Sequence, residues 1–195
     1  MSGHHKYTTE GFVMKVEWVG EADGKVTLLT KDLGLIRVSV KSLRKSTNKH
    51  KAALTEFSKV LVSVVKGKEV WRLTNSLLLN NIFYDLRGNI ESIRLLAKVK
   101  SLVGRLVVGE GEIGRIFQVV DFLYKNIFKI DKDSLPDLEC FAVMNILSSL
   151  GYLPLSTDEE DLLNLDKLQD SLGYFKINRL DFIKRINESL HATQL

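Results

Sequence analysis

The sequence contains almost no cysteine and very little proline. Cys140 is the only cysteine among 195 residues, so neither an internal disulfide nor a four-cysteine zinc site can form within the chain. No run of about 18 apolar residues occurs, which argues against a membrane-spanning helix. The first residues also lack the apolar stretch of a secretory signal. We therefore expect a cytoplasmic protein that holds no metal or other cofactor and does not bind membranes.

Acidic residues are missing from one long stretch. Leu33–Thr55 contains no Asp or Glu, and we take its basic side chains as candidate binding residues: Arg37, Lys41, Arg44, Lys45, Lys49 and Lys51. Residues 1–80 hold 14 Lys and Arg against 7 Asp and Glu, a net charge of +7, whereas residues 81–195 carry a net charge of −3. Such asymmetry indicates that the basic half meets a polyanion. An unevenly charged, solvated surface is the alternative explanation.

Residue alternation predicts five strands in the first half of the chain. Apolar residues recur with a period of two in "GFVMKVEWV", and further strand-like runs are "KVTLLT", "GLIRVSV", "KVLVSVV" and "EVWRLTN". The gap after the third run is long, and "KHKAALTEF" within it could hold a short helix. Five strands with an insertion after the third match the OB-fold barrel, with an SH3-like barrel as the alternative.

Helical periodicity begins near residue 81. Leu95, Leu96, Val99, Leu102, Val103 and Leu106 form one apolar face. Further helices are predicted from about Ile113, from Pro136 and from Asn178, and Thr157 with Glu160 is predicted to form a capping box. The predicted fold class is therefore α+β: an OB-fold nucleic-acid-binding domain at residues 1–80, followed by an all-helical partner-interaction domain at residues 81–195.

One glycine motif resembles a dinucleotide-binding fingerprint. "GEGEIG" at 109–114 fits G-x-G-x-x-G, but its flanking segments have helical rather than strand periodicity. Glu110 and Glu112 would also place negative charge beside a pyrophosphate. We interpret the motif as a turn between two helices, in which Gly109 ends one helix and the acids favour the start of the next.

Two further observations concern the chemistry. The aromatic residues of the first half could stack on bases, but their alternation favours the barrel interior for most of them; these residues are Tyr7, Phe12, Trp18, Phe57 and Trp71. No nucleophile is accompanied by a base, and the four histidines show no metal-ligand spacing. We therefore do not expect an enzyme.

Several short signatures, in order, resemble the RecO family of bacterial recombination mediators. In the first half they are "YTTEGFVMK" (7–15), "GEADGKVTLLTKDLGLIRV" (20–38), "VKSLRKS" (40–46) and "GKEVWRLT" (67–74). In the second half they are "GEGEIGRIFQVVDFLY" (109–124) and "LECFAVMNILSSLGYLP" (138–154). The resemblance spans most of the chain.

The resemblance implies a protein of DNA repair and recombination that catalyses no covalent step. It implies binding of single- and double-stranded DNA, annealing of complementary strands, and loading of RecA, together with RecR, onto DNA coated with single-strand binding protein. Such a protein would be cytoplasmic and associated with the nucleoid. Lys41, Arg44 and Lys45 fall on the family's basic stretch, and Lys25 and Arg37 lie where the family tends to be basic. Arg105 and Arg115 are candidates for partner binding by charge alone.

The chain also departs from the family pattern. Many members carry a four-cysteine zinc module after "SLGYLP", whereas here "LSTDEEDLLNLDKLQD" follows, and we expect a shortened C-terminal part without metal. An RNA-binding accessory factor stays open as an alternative, because phosphate contacts hardly distinguish RNA from DNA. A protein–protein adaptor with an acidic partner is the other alternative.

Overall fold

A computed structural model of the chain describes residues 5–68, 70–111 and 113–192. Within these residues, strands come first and helices follow. The strands are β1 (Lys6–Val19), β2 (Asp23–Thr30), β3 (Gly34–Val40), β4 (Ser58–Lys66) and β5 (Trp71–Asn81). The α-helices are α1 (Ile82–Asp85), α2 (Ile90–Leu106), α3 (Gly114–Asn126), α4 (Leu135–Ser149), α5 (Thr157–Leu162) and α6 (Leu168–Ala192).

The five strands close into a barrel in the order β1-β2-β3-β5-β4. Neighbouring strands are antiparallel except β3 and β5, which pair in parallel over a short stretch, Val38 with Trp71 and Ser39 with Arg72. This order, closed by a pairing between non-consecutive strands, is the OB arrangement. The predicted OB-fold barrel followed by helices is therefore confirmed.

Strand β1 departs from simple alternation. Its pairing with β2 shifts register between Val13 and Lys15, which marks a β-bulge at Met14. The bulge places an additional residue in the strand, so Phe12, Val13 and Met14 are all buried. After the bulge Lys15 faces solvent and Val16 packs partly against the core. The period of two predicted from sequence thus holds on each side of the bulge but not across it.

The barrel interior is filled by branched aliphatic side chains from all the strands except β5, which contributes Trp71. Three more buried residues come from the connection between β3 and β4: Leu43, Ala53 and Leu54. Each fully buried leucine contributes roughly 1.5–3 kcal/mol of transfer free energy. The connection that follows β3 is therefore part of the barrel core and not a loose surface loop.

The helical part has the predicted core. All six residues of the predicted apolar face of α2 are buried. Helix α4 packs against both α2 and α6, and its buried residues surround its axis. The helix ends where predicted, because Gly151 adopts a φ of +76° and the Tyr152 amide donates to the Leu147 carbonyl at 2.9 Å.

Two details of the last helices differ from the prediction. The capping box of α5 uses Ser156 and Glu159, one residue earlier than the predicted pair. Helix α6 begins at Leu168, about ten residues before the predicted start, and its helical geometry is interrupted at Asn178, where φ is −105° and ψ is 15°. Asn178 Nδ2 donates to the Tyr174 carbonyl there. The predicted final helix thus corresponds to the helical segment after the kink at Asn178, and the segment from Leu168 to the kink was not predicted.

The described chain divides into two compact units. One comprises the chain up to Arg87 together with Val107–Gly114, and the other comprises Gly88–Leu106 and the chain from Arg115 onward. The segment between α2 and α3 therefore belongs to the barrel unit. None of the described helices has the length and apolarity needed to cross a bilayer.

Candidate nucleic-acid interface

The basic connection, residues 41–57, joins β3 to β4 at one end of the barrel. It forms successive turns: the amides of Lys45, Asn48 and Lys51 each donate to the carbonyl three residues earlier. The short helix considered for this stretch is reduced to one α-type turn, in which the Leu54 amide donates to the His50 carbonyl at 3.0 Å. Turns of this kind leave many side chains directed into solvent.

Leucine anchors hold the basic connection onto the barrel. Leu43 is 1% exposed and packs against Gly24 of β2, where an added Cβ would lie 2.6 Å from Leu43 Cδ2. Glycine at position 24 thus leaves the space that Leu43 occupies. Ala53 and Leu54 anchor the other end of the connection in the same core. With both ends buried, the charged side chains between them are held at the barrel end.

Hydrogen bonds fix the connection at its start and near its middle. Ser42 adopts a φ of +55°, and its amide donates to Asp23 Oδ1 at 2.8 Å. The Arg44 amide donates to the carbonyl of Ala22 in the β1–β2 turn. Further on, His50 Nδ1 lies 2.8 Å from Ser76 Oγ of β5. The basic connection is therefore tied to both the β1–β2 turn and β5.

The basic connection, the end of β3 and the start of β5 enclose a groove of about 580 Å³, which we call the basic groove. Four cationic side chains line it: Lys41, Lys45, Lys49 and Arg72. Ser39, Ser42, Thr47 and Asn48 add hydroxyl and amide groups. No Asp or Glu is among the described residues that line the groove. Such a surface can accept several phosphates and hydrogen-bond their oxygens.

His50 also lines the basic groove, but as a neutral group. Burial lowers the pKa of His50 below its ordinary value of 6.5, and the positive charge of Lys49 lowers it further. The imidazole is therefore uncharged at neutral pH. Its contact with Ser76 makes it a structural link to β5, and the positive charge of the groove comes from Lys and Arg.

Lys25 and Arg37 lie on the outer face of the barrel beside the groove. Lys25 pairs with Ser39, which pairs in turn with Arg72, so these three residues form one row across β2, β3 and β5. Directly paired residues direct their side chains to the same face. Arg37 pairs with Thr27 in the adjoining row. Lys25 thus extends the charge of the groove across the outer face of the sheet.

This outer face also carries one carboxylate. Lys15 Nζ lies 2.9 Å from Glu17 Oε1, and this hydrogen bond, with the positive charges of Lys15, Arg37 and Lys25, lowers the pKa of Glu17. Glu17 therefore remains ionised and offsets part of the positive charge on the face. The described lining of the basic groove contains no such acid.

Arg44 and Lys51 belong to the basic connection but do not line the basic groove. The Arg44 guanidinium carbon is 5.9 Å from the centroid of the Trp18 ring, and Lys51 Nζ is 3.5 Å from the Arg44 carbonyl oxygen. The seven predicted DNA-binding residues are all exposed; they are Lys25, Arg37, Lys41, Arg44, Lys45, Lys49 and Lys51. Across the described ranges, none of the seven lies within ion-pair distance of a carboxylate.

Arg72 is the groove residue that sequence reasoning missed. It lies in β5, 15 positions after the end of the basic connection, and reaches the groove because β5 pairs in parallel with β3. Alternation within "VWRLTN" does indicate that Arg72 faces away from the interior, since its neighbour Trp71 is buried. The position of the strand beside β3 could not be read from that pattern.

The aromatic residues divide between interior and surface. Phe12 and Trp71 are both buried, with exposures of 0% and 5%, but only Trp71 belongs to the barrel core. The interior prediction is wrong for Tyr7 and Trp18, which are 41% and 51% exposed, because both lie near the ends of β1 beyond the filled part of the barrel. Phe57 is half-buried and stacks on Phe83, with 6.2 Å between ring centroids.

The "GEGEIG" segment contacts the barrel through Gly109 and Glu110. Gly109 has a φ of +76° just after α2, as the interpretation as a turn requires. Glu110 does not act at the start of α3: its carboxylate accepts from Trp71 Nε1 at 2.9 Å and from Lys66 Nζ at 2.6 Å. The Leu35 amide donates to the Gly109 carbonyl at 3.3 Å. Glu112 lies outside the described residues.

The Glu110 contact should be sensitive to pH. Hydrogen bonds from Lys66 and Trp71 lower the pKa of Glu110 below its ordinary value of 4.5. A carboxylate with a lowered pKa stabilises the fold above its unfolded pKa, and this contribution is lost as pH falls through the folded value. We expect Glu110→Gln to lower the free energy of unfolding by about 1 kcal/mol or less near pH 7, because the pair is solvent-screened.

Urea titrations of wild type and Glu110→Gln at a series of pH values measure this difference. The difference in the free energy of unfolding between the two proteins should be constant above about pH 5 and should decrease below pH 4.5. Glu21→Gln is the control, because Glu21 is exposed and has no ion pair with any residue in the described ranges. If the destabilisation caused by Glu110→Gln increased toward low pH, the ionised Glu110 carboxylate would not be the stabilising group.

The two arginines considered for partner binding differ in their surroundings. Arg105 is exposed in the last turn of α2. Arg115 Nη2 donates to Asn145 Oδ1 and to the Leu163 carbonyl, both at 2.7 Å, and burial lowers the pKa of its guanidinium. Arg115 thus joins α3 to α4 and to the end of α5. Its guanidinium is already engaged within the helical unit.

The described residues offer little for metal or nucleophilic chemistry. They contain no group of three or more His, Cys, Asp or Glu side chains that could hold a metal ion. Cys140 is buried in α4, and burial, with the nearby carboxylates Glu139 and Asp137, raises the pKa of its thiol to about 11. The thiol is therefore protonated at neutral pH and is a poor nucleophile.

Comparison with known proteins agrees with this fold. The family model described as "Recombination protein O N terminal" matches residues 1–82. A protein of Dehalococcoides mccartyi named DNA repair protein RecO is 29% identical over 178 residues, which cover 90% of this chain and 67% of the relative. Proteins of the same name from Acetivibrio thermocellus and Roseiflexus are 29% and 30% identical over 75% and 76% of this chain.

The barrel with its basic groove defines the first part of the chain as an OB-fold domain, and helices follow it. The matches to proteins named RecO extend across both parts, so the chain is similar to the RecO family over most of its length. It spans 67% of the length of the Dehalococcoides protein, 57% of the Acetivibrio protein and 51% of the Roseiflexus protein.

Proposed function

We propose that this chain is a DNA-binding recombination mediator that catalyses no covalent step. It binds single- and double-stranded DNA through phosphates, anneals complementary strands, and helps to load RecA onto DNA coated with single-strand binding protein, together with RecR. The observation that carries the proposal is the basic groove, in which four cations meet without an acid among the described lining residues. The relatives' printed name, DNA repair protein, supports the same role.

The proposed division of labour follows the charge. Residues 1–80 supply the DNA-binding barrel, with Lys25, Arg37 and the lysines of the basic connection contacting phosphate oxygens. Residues 81–195 supply the surface for partner proteins, where Arg105 is the exposed candidate. Contacts to phosphate carry no base identity, so binding should be tolerant of sequence and steeply dependent on salt. Such a protein acts in the cytoplasm, at the nucleoid.

Phosphate neutralisation also explains how annealing would work. Two complementary strands repel each other, and a surface that neutralises their phosphates lowers the electrostatic cost of bringing them together. Because the groove makes no demand on base identity, the bases of a bound strand stay free to pair. The same feature permits binding to a strand displaced from single-strand binding protein.

Strand annealing tests the proposal directly. Two complementary oligonucleotides with a fluorescence donor and acceptor should pair faster when the protein is present, both as free strands and after coating with single-strand binding protein. Raising the salt concentration should abolish the acceleration because counterion release drives binding. Absence of acceleration at low salt would reject the proposed function.

Competition between nucleic acids separates the proposal from its RNA-binding alternative. DNA and RNA oligonucleotides of one sequence should be compared at equal length and salt concentration. Tighter binding to RNA would favour an RNA-binding accessory factor. Partner capture that survives nuclease treatment, from a protein that binds neither nucleic acid, would favour the adaptor.

A further inference from the structure

An exposed aromatic ring stands beside the basic groove. Trp18, next to the last residue of β1, pairs with Gly24, which pairs with Val40 at the end of β3. Lys41, the next residue along the chain, lines the groove. Trp18 is therefore at the same barrel end as the groove, with 51% of its surface in solvent. An indole this exposed is unusual, because large aromatic rings normally contribute to a core.

Arg44 is held against this ring by the fold around it. Its guanidinium carbon is 5.9 Å from the Trp18 centroid, a cation–π distance. Its amide bonds to the Ala22 carbonyl in the turn that follows β1, and the preceding residue, Leu43, is buried against Gly24. The backbone that carries the guanidinium is thus fixed beside the strand that carries the ring, which lowers the conformational entropy lost if a flat ligand stacks on the pair.

We propose that Trp18 and Arg44 form a stacking platform for an unpaired nucleobase of a DNA strand whose phosphates lie in the basic groove. This inference rests on the proposed function. Bases stack on aromatic rings and on guanidinium planes, and only an unpaired base has a free face for such contact. The groove alone would bind phosphates of single strands and duplexes alike, so the platform is the element that favours single strands.

The assignment separates two kinds of contact within one surface. Lys41, Lys45, Lys49 and Arg72 set the salt dependence, whereas Trp18 sets the preference for strands with free bases. Tyr84 provides a matched control: it is 56% exposed, and the Arg87 guanidinium carbon lies 5.5 Å from its ring. Tyr84 follows the far end of β5, an 11-residue strand that starts at the groove. The control pair is thus roughly 30 Å away along that strand.

The test measures the affinity of wild type, Trp18→Ala, Trp18→Phe and Tyr84→Ala for three ligands: a thymidine oligonucleotide, an abasic oligonucleotide of equal length, and a duplex. Trp18→Ala should weaken binding to the thymidine strand by about 5- to 150-fold, the range of one stacked base. Affinity for the abasic strand and the duplex should be unchanged. Trp18→Phe should restore part of the loss, and Tyr84→Ala should bind all three as wild type does.

Quenching of Trp18 fluorescence detects base stacking directly and would not occur if Trp18 had only a structural role. In Trp71→Phe, Trp18 is the only tryptophan of the sequence, and its emission should be quenched by the thymidine strand but not by the abasic strand. Equal losses on thymidine and abasic strands in Trp18→Ala, or no loss on either, would overturn the platform while leaving the groove intact. If wild type binds none of the three ligands, the proposed function fails, and the platform with it.

Discussion

Replacement of Lys41, Lys45, Lys49 and Arg72 by alanine should weaken binding of single-stranded DNA by on the order of 100- to 1,000-fold at 50 mM salt. These four side chains line one groove without an acid among its described lining residues, so each can neutralise a phosphate. Each lost contact lowers the slope of log K against log salt by ~0.7 for a single strand. The slope should therefore become shallower by about 2.8. Fluorescence anisotropy across a salt series measures both quantities.

A matched variant removes the same charge from the helical unit. Lys129, Lys132, Lys176 and Lys184 are exposed, and their replacement by alanine also lowers the net charge by four. If the basic groove is the DNA-binding site, this variant should bind single-stranded DNA with nearly the wild-type slope of log K against log salt. Equal weakening in both variants would mean that only total charge matters. Circular dichroism should show that both variants are folded, because none of the eight side chains is buried.

Gly34→Ala should lower the free energy of unfolding by about 2–4 kcal/mol. Gly34 adopts a φ of +77°, and an added Cβ would lie 2.6 Å from the Gly111 amide nitrogen and 2.8 Å from its carbonyl oxygen. Backbone atoms cannot rotate away as a side chain does. The segment 109–111 would have to move, which breaks the contact between the Leu35 amide and the Gly109 carbonyl.

Gly20→Ala separates the cost of backbone conformation from the cost of the clash. Gly20 also has a positive φ, +58°, but an added Cβ meets no atom within 4 Å. It should therefore cost only about 1–2 kcal/mol, the penalty for an L-residue in the left-handed region. Urea unfolding followed by tryptophan emission reports on the barrel, because Trp18 and Trp71 both lie in it. If both variants lost the same free energy of unfolding, the segment 109–111 would move away from the added Cβ without energetic cost.

The strands could be predicted because their side chains alternate, but their arrangement could not. Local patterns reveal that β3 and β5 are strands, whereas the parallel pairing of Val38 with Trp71 depends on the closure of the whole barrel. Arg72 was missed for this reason. Strand β5 also runs to Asn81, beyond the predicted end, because "SLLLNN" pairs with β4 without showing alternation. Tertiary pairing overrides the local pattern there.

The sequence predicted the positive charge of the candidate site but not the backbone conformation of the basic connection. The absence of acids from Leu33–Thr55 is visible in the sequence, and the exposed cations follow from it. Nothing in the local sequence indicates that Leu43 and Leu54 enter the barrel core. Because both leucines are buried there, the connection forms successive turns in place of the predicted short helix. Alternation similarly suggested that Trp18 is interior, because a period of two gives the side of a strand but not where the filled interior ends.

The return of residues 107–114 to the barrel bears on how the protein is made. A ribosome releases the five strands long before it releases Glu110, and the whole of α2 is synthesised in between. Until then the indole N–H of Trp71 lacks its carboxylate acceptor and Gly34 lacks its backbone neighbour. The nascent barrel is completed only after the first long helix has emerged, so a fragment cut after the strands is an unfinished version of this unit.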